Sequence, residues 1–276
     1  MRDVAPLTAR NTKIQQLRRL AGRRSARAEA GLFVVEGPTL VAEALAAGVD
    51  IEAAFVDADA RDHPKFGELA HLIQVRGVHL FDVAPGVLER VGSTVTPQPM
   101  MAVAHRCDRR LDELLSLAAG RLVLVLADVA DPGNAGTLLR SAEASGTGGV
   151  IFAGETVEAF NPKVVRSSAG SLFRAPLAVD VSIESALNSL AAAGYTTVGT
   201  VARDGLSYDE LDLRQGIAVV LGNEAHGLPR DVAVETLITI PVEGGAESLN
   251  VAMAGTVLCF EAARQRRVGR PHADAD

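Results

Sequence analysis

The chain alternates short apolar runs with segments whose apolar residues recur at helical spacing. Ile14, Leu17 and Leu20 fall on one side of an Arg-rich stretch, which predicts a helix over 11–30. LFVVEG (32–37) predicts a strand ending in glycine. PTLVAEALAAG (38–48) predicts a helix, with Pro38 in its first turn and Gly48 as its stop. IEAAFVDAD (51–59), VHLFDVA (78–84) and MMAVAHR (100–106) predict further strands with helical stretches between them. Residues 1–106 therefore read as a small α/β domain. The charged segment RCDRRLDELLSLAAG (106–120) predicts a linker over 107–120 with one or two amphipathic turns.

From 121 the alternation becomes regular. LVLVLAD, GVIFAG, FRAPLAVD, YTTVGTVA, IAVVLGN and LITIPVE predict strands. Helices are predicted from about 134, from about 162, over 183–193 and over 248–267. Such alternation predicts a parallel sheet with helices on both faces, spanning 121–267. The tail VGRPHADAD (268–276) is polar and is expected to be disordered.

Three segments interrupt this rhythm with chemistry. LADVADPGNAGTLLRSAEASG (126–146), VVLGNEAHGLP (219–229) and ITIPVEGGAESLNVAMAGTVLCFEAAR (238–264) each set Gly, Asn and a charged residue beside an apolar run. Glycine lets backbone N–H groups approach a ligand, and strand ends are where open α/β sheets hold ligands.

Composition narrows the class. Hydrophobic residues make up 48% of 276, enough for a core in one large or two ordinary domains. The longest apolar runs are strand-length, so no membrane span is expected. MRDVAPLTARNTK has no signal-type apolar run, and the two cysteines, Cys107 and Cys259, lack metal spacing. A cytoplasmic protein with reduced thiols and no metal is expected. The net charge of −7 argues against nucleic acid, but its distribution argues for it. Residues 1–27 carry eight bases against Asp3, a local +7 that leaves −14 elsewhere. Lys13, Arg18, Arg19, Arg23, Arg24 and Arg27 are thus candidate phosphate contacts, with a merely solvated basic helix as the alternative.

In order and spacing, the three segments resemble motifs 1, 2 and 3 of the SpoU/TrmH family of SPOUT RNA methyltransferases, over the whole of 122–267. FVVEGPTLVAEAL more briefly resembles the opening of the RNA substrate-binding domain that precedes the catalytic domain in many of these enzymes. NPKVVRSSAGSLFRAPL (161–177) resembles the stretch between motifs 1 and 2, where Lys163 and Arg166 either contact RNA or flank a core helix. The resemblance implies a trefoil knot built after motif 2 and a homodimer whose site is completed at the interface. It also implies bound S-adenosyl-L-methionine in a bent conformation and 2′-O-ribose methylation of structured RNA. Ribosomal RNA of the large subunit (23S) is the leading substrate.

Residue by residue, the resemblance assigns Asn134 to ribose and backbone positioning and Arg140 to the target 2′-OH and its phosphate. An Arg side chain with a pKa above about 12 is a poor base. Arg140 is therefore read as a clamp that orients and acidifies the hydroxyl. The proton passes to phosphate, water or a transiently neutral guanidine. Asn134 is also a plausible helix N-cap, as is Ser248 for the last helix. Glu224 either faces the sulfonium, orients a catalytic-loop amide or holds the knot. The cofactor pocket is expected from Leu221, Gly222, Asn223, Glu224 and Gly227 of motif 2, and from Ile240, Val242, Ser248, Leu249 and Asn250 of motif 3. Thr200 matches a family position near the methionine end. Val251, Ala254, Gly255 and Leu258 are expected to face inward or towards a partner. His226 is expected to face solvent, and His63, His71, His79, His105 and His272 are assigned nothing.

Competing readings are a tRNA 2′-O-methyltransferase and a non-catalytic RNA-binding or ribosome-assembly protein of the same fold. An NAD-dependent oxidoreductase would need a GxGxxG after the first strand of 121–267, and none is present.

Overall fold

The computed structural model describes residues 5–61, 64–92, 98–229 and 232–268. Residues 269–276 of the expected tail, with His272, and also His63, lie outside the described residues. The chain divides into two compact units, one of residues 1–107 and 160–173, the other of 108–159 and 174–276.

The first unit holds a four-stranded sheet in the order β1-β4-β2-β3. Its strands are β1 (Leu32–Glu36), β2 (Ile51–Asp57), β3 (His79–Val83) and β4 (Met100–His105). β3 runs parallel to β2, and β4 antiparallel to β1 and β2. The helix expected over 11–30 is two helices, α1 (Thr12–Gly22) and α2 (Arg24–Ala30). Arg23 breaks it with an extended backbone, φ −127° and ψ 119°. α3 (Pro38–Ala46) and α4 (Pro64–Val75) complete the α/β pattern. Ile14, Leu17 and Leu20 of α1 are buried in one core with Val34, Phe55 and Met101. Residues 160–173 add a short helix to this unit, α7 (Pro162–Ser167). The rings of Phe160 and Phe173 lie 4.9 and 6.3 Å from that of Phe33.

The second unit holds a seven-stranded parallel sheet in the order β7-β6-β5-β10-β8-β11-β9. Its strands are β5 (Val123–Ala127), β6 (Gly149–Ala153), β7 (Leu177–Val181), β8 (Thr196–Thr200), β9 (Leu206–Ser207), β10 (Ile217–Leu221) and β11 (Thr236–Thr239). Its helices are α5 (Leu111–Ala118), α6 (Pro132–Ser145), α8 (Ile183–Ala192) and α9 (Val251–Val268). The segment expected as a linker thus contains a full helix, α5. Its Leu114 and Ala118 share a core with Val123, Val125, Val220 and α8 residues Ala186 and Leu190. Side chains alternate across a strand, so Leu221 points to the other face. There α6 packs on α9. A Cβ on Gly255 would lie 2.3 Å from Leu138 and 2.8 Å from Leu221, so the helix contact requires glycine. Leaving β10, the chain passes β8 to form β11 and then returns over 240–250 to lay α9 on α6.

Candidate functional site

The three glycine-bearing segments meet at the C-terminal ends of β5, β10 and β11, and side-chain hydrogen bonds hold them there. Asp131, not Asn134, caps α6: its Oδ1 accepts from the Asn134 backbone N–H at 2.8 Å. The Asn134 side chain is thereby freed. Its Nδ2 donates to Glu224 Oε1 at 2.9 Å, and its Oδ1 accepts from Asn250 Nδ2 at 3.1 Å. Glu224 also accepts from the backbone N–H groups of Ala130 and Asp131, each at 3.0 Å. One relay, Asn250 to Asn134 to Glu224 to the 130–131 backbone, therefore ties motifs 3, 1 and 2 together. Burial, the largest single influence on the Glu224 carboxyl, pushes its pKa up. The Asn134 amide and the N–H groups of Ala130, Glu224 and Asp131 together outweigh it, so the pKa lies below its ordinary value. Glu224 stays ionised, an acceptor for donors that would otherwise be unpaired.

Asn223 and Asn250 also shape the loops. Asn223 Nδ2 donates to the Asp128 carbonyl at 2.9 Å, while its Oδ1 accepts from the N–H groups of Ala225 and His226. The Asn223 and Gly227 backbones exchange hydrogen bonds of 2.9 and 2.8 Å, which closes the motif 2 turn. Asn250 Oδ1 accepts from Ala252 N–H at 2.9 Å and Met253 N–H at 3.3 Å. Asn250 therefore caps the last helix. α9 starts at Val251, not at Ser248, because Asn250 offers a side-chain acceptor closer to the helix.

A cavity of about 520 Å³ opens beside this relay. Of the residues expected to form it, Thr200, Gly222, Asn223, Glu224, Gly227, Ile240, Val242, Ser248, Leu249 and Asn250 line it. Leu221 does not, because it is fully buried on the α6/α9 face. His226, expected to face solvent, is exposed and also lines the rim. Ile238, Val251, Ala254 and Leu258 extend the wall beyond the expected set. The last three recur at helical spacing and are readable once the helix start is known to be Asn250. Thr200 Oγ1 is turned away to the Val220 carbonyl at 3.3 Å. Gly222 serves the chain before any ligand: a Cβ there would lie 2.3 Å from the Gly227 carbonyl carbon. A valine at 222 would displace the loop.

Arg140 is exposed on α6, outside the cavity wall, with no hydrogen bond or ion pair among the described residues. Of the expected RNA contacts, Lys13, Arg18, Arg19, Arg23, Arg24 and Lys163 are exposed. Arg27 is a correction. Only 3% exposed, it donates to the Leu20 carbonyl at 2.6 Å and so satisfies the end of α1. Arg166, 24% exposed, follows the packing side of its reading: its Nη1 pairs at 2.9 Å with Glu36, whose side chain is 3% exposed. Both arginines serve packing, since a buried carboxylate or carbonyl needs a partner. Among the described residues no group of three or more His, Cys, Asp or Glu could hold a metal, and no helix is long and apolar enough to cross a membrane.

Known proteins share this fold. Residues 121–260 match the SpoU rRNA Methylase family, and residues 11–102 match the MRM3-like substrate binding domain. The 23S rRNA (guanosine(2553)-2′-O)-methyltransferase RlmP of Bacillus subtilis is 32% identical over 92% of this chain and 96% of its own. The 23S rRNA (uridine(2479)-2′-O)-methyltransferase of Streptomyces viridochromogenes is 32% identical over 96% and 93%. The crystal structure of the SpoU methyltransferase AviRb from Streptomyces viridochromogenes, in complex with the cofactor AdoMet, superposes with a TM-score of 0.84. It is 31% identical over 95% of this chain and all of that one. With a matching family model over half of its length and relatives that align nearly end to end, the chain belongs to the SpoU rRNA methylase family.

Proposed function

We propose that this protein transfers a methyl group from S-adenosyl-L-methionine to a ribose 2′-hydroxyl of structured RNA, with 23S ribosomal RNA as substrate and the cytoplasm as its place of action. The observation that carries this reading is the relay of Asn250, Asn134 and Glu224, which joins three loops at the rim of one cavity. Relatives aligned over nearly the whole chain are named for 2′-O-methylation of 23S rRNA, which favours ribosomal RNA over tRNA.

The cavity suits the cofactor. Its volume lies within the range of roughly 300–1,000 Å³ usual for small-molecule sites. Ile238, Ile240 and Leu258 offer apolar walls to a purine, and the loop backbones of 222–227 and 240–250 offer polar edges. Bound there, the cofactor supplies an electrophilic methyl group on a sulfonium. The chain's own part is positioning. Glu224, held ionised, keeps the motif 1 turn and the Asn134 amide fixed beside the cavity. Arg140, permanently charged, holds the phosphate next to the target ribose and stabilises negative charge as the hydroxyl loses its proton to phosphate or water.

A second copy of the chain completes the site. Met253 and Phe260 are 56 and 45% exposed on α9, and Leu249, just before it, is 41% exposed; α9 packs on the helix that carries Arg140. Pairing of this face would cover apolar area and bring Arg140 to a partner's cavity. Sedimentation of the wild type should show a dimer, and Phe260→Asp should dissociate it. A monomeric wild type at micromolar concentration would overturn the pairing.

The central test is Arg140→Ala. Methyl incorporation into ribosomal RNA from a strain lacking the gene should fall by about 10²–10³-fold, the usual cost of removing one charge-stabilising donor. Calorimetric affinity for S-adenosyl-L-methionine should be unchanged. Near-normal turnover, or methylation absent from ribosomal RNA with wild-type protein, would refute the assignment.

A further inference from the structure

β3 is an edge strand of the first unit's sheet, and two residues on one of its faces carry rings, His79 and Phe81. The Phe81 ring lies 5.6 Å from that of Phe55 at 27° between planes, and His79 lies 5.8 Å from Phe81 at 23°. Phe55 is buried, Phe81 half-buried and His79 exposed. The three rings therefore form one stack that runs from the core out to solvent. Ala53 is the register partner of His79, so no large cross-strand side chain covers the outermost ring. The His79 side chain has no hydrogen bond or ion pair among the described residues. Lys13 holds its Nζ 5.0 Å from the Phe81 ring centre.

We propose that this stack receives an unpaired base of the RNA substrate, laid on the exposed ring of His79, with Lys13 holding the adjoining phosphate. A ring stack that served only the core would end on a covered ring. This one ends on an exposed imidazole at an edge strand, one ring along from the Lys13 ammonium. Proteins read unpaired RNA in this way, by aromatic stacking next to a basic track, since every base has a π face. The half-buried Phe81 and the Lys13 ammonium keep the platform flat and its position fixed. The first unit would then contribute more than charge: it would prefer a loop or bulge to a regular helix. The proposal rests on the RNA reading above.

The test uses the full chain and two probes, an unstructured oligoribonucleotide carrying one 2-aminopurine and a blunt RNA duplex of equal length. Binding of the single strand should quench 2-aminopurine, as stacking does. His79→Ala should weaken single-strand affinity by about five-fold or more, the lower end of what one stacked base contributes. Duplex affinity should change by less than about two-fold, because phosphate contacts carry it. His79→Phe should retain single-strand binding. Because His79 is exposed, circular dichroism of His79→Ala should match the wild type. Equal single-strand affinity and quenching in wild type and His79→Ala would overturn the platform, as would equal losses on both probes. Wild-type binding to the duplex alone would overturn the platform and leave the RNA reading standing. Binding to neither probe would overturn both.

Discussion

The loops at the strand ends of the second unit and the helices α1 and α2 of the first are both dense in polar side chains, but they use them differently. In the loops Glu224 and the asparagines use their polar atoms on one another and on the backbone: Asn134 serves Glu224 and Asn250, and Asn223 serves Asp128, Ala225 and His226. On the helices, Arg18, Arg19 and Arg23 stand in solvent. The first region is shaped before any ligand arrives, and its ligand fits the shape. The second is defined by charge and takes its shape from what it binds. Pre-formed loops make precise geometry and fail sharply when altered, whereas an open cationic face fails gradually and with a salt dependence.

The largest effect expected is from removing the first unit altogether. Residues 160–173 lie within the span read as the catalytic domain but group with the first unit, where Phe160 and Phe173 pack on Phe33. A chain starting near Arg121 would expose both rings. It should aggregate or fail to bind cofactor, although it retains every motif residue. A soluble truncation with wild-type affinity for S-adenosyl-L-methionine would show that the two units are separable as the sequence implies.

The next effect separates charge from packing on the basic helices. Neutralising Arg18, Arg19, Arg23 and Arg24 together should flatten the log–log salt dependence of RNA binding by roughly 0.7–0.9 for each phosphate that is no longer neutralised. At low salt the affinity should drop by about 10²-fold or more, with cofactor affinity unchanged. Arg27→Met is the counterpart. It should cost about 1–3 kcal/mol in urea unfolding, since the Leu20 carbonyl loses its partner, and leave the salt slope alone. A changed slope in Arg27→Met would return Arg27 to the RNA surface.

A smaller effect tests the pre-formed loops. Glu224→Gln offers one acceptor oxygen where three donors converge, and should weaken S-adenosyl-L-methionine binding by about ten-fold. The pH dependence has a definite sign. Because the carboxyl is held below its ordinary pKa of 4.5, its contribution is fully present above that value and drains away as pH falls through the lower folded one. Wild-type stability should therefore show an acid limb below about 4.5 that Glu224→Gln lacks. Identical acid limbs would mean that Glu224 is not the group holding the loops.

Much of this could be read from the chain alone. The alternation of apolar runs and helical spacing was enough for two α/β units, a parallel sheet and three ligand loops at its strand ends, because strand and helix periods are local properties. The residues expected at the cavity wall came instead from the resemblance of the three motifs to the SpoU/TrmH family, and most of them line the cavity. Tertiary structure alone decided which partner each polar group found. Asp131 took the helix cap and so released Asn134, Asn250 displaced Ser248 as the start of α9, and Leu221 turned to the helix face because strand residues alternate. Arg27 and Arg166 look like RNA contacts in sequence and are partners of a helix end and of Glu36 in space. Charge and spacing are written along the chain, whereas burial and pairing depend on residues up to 130 positions away, as in Arg166 and Glu36. For that physical reason the sequence determines what the loops are made of, and only the packed structure determines what each side chain does there.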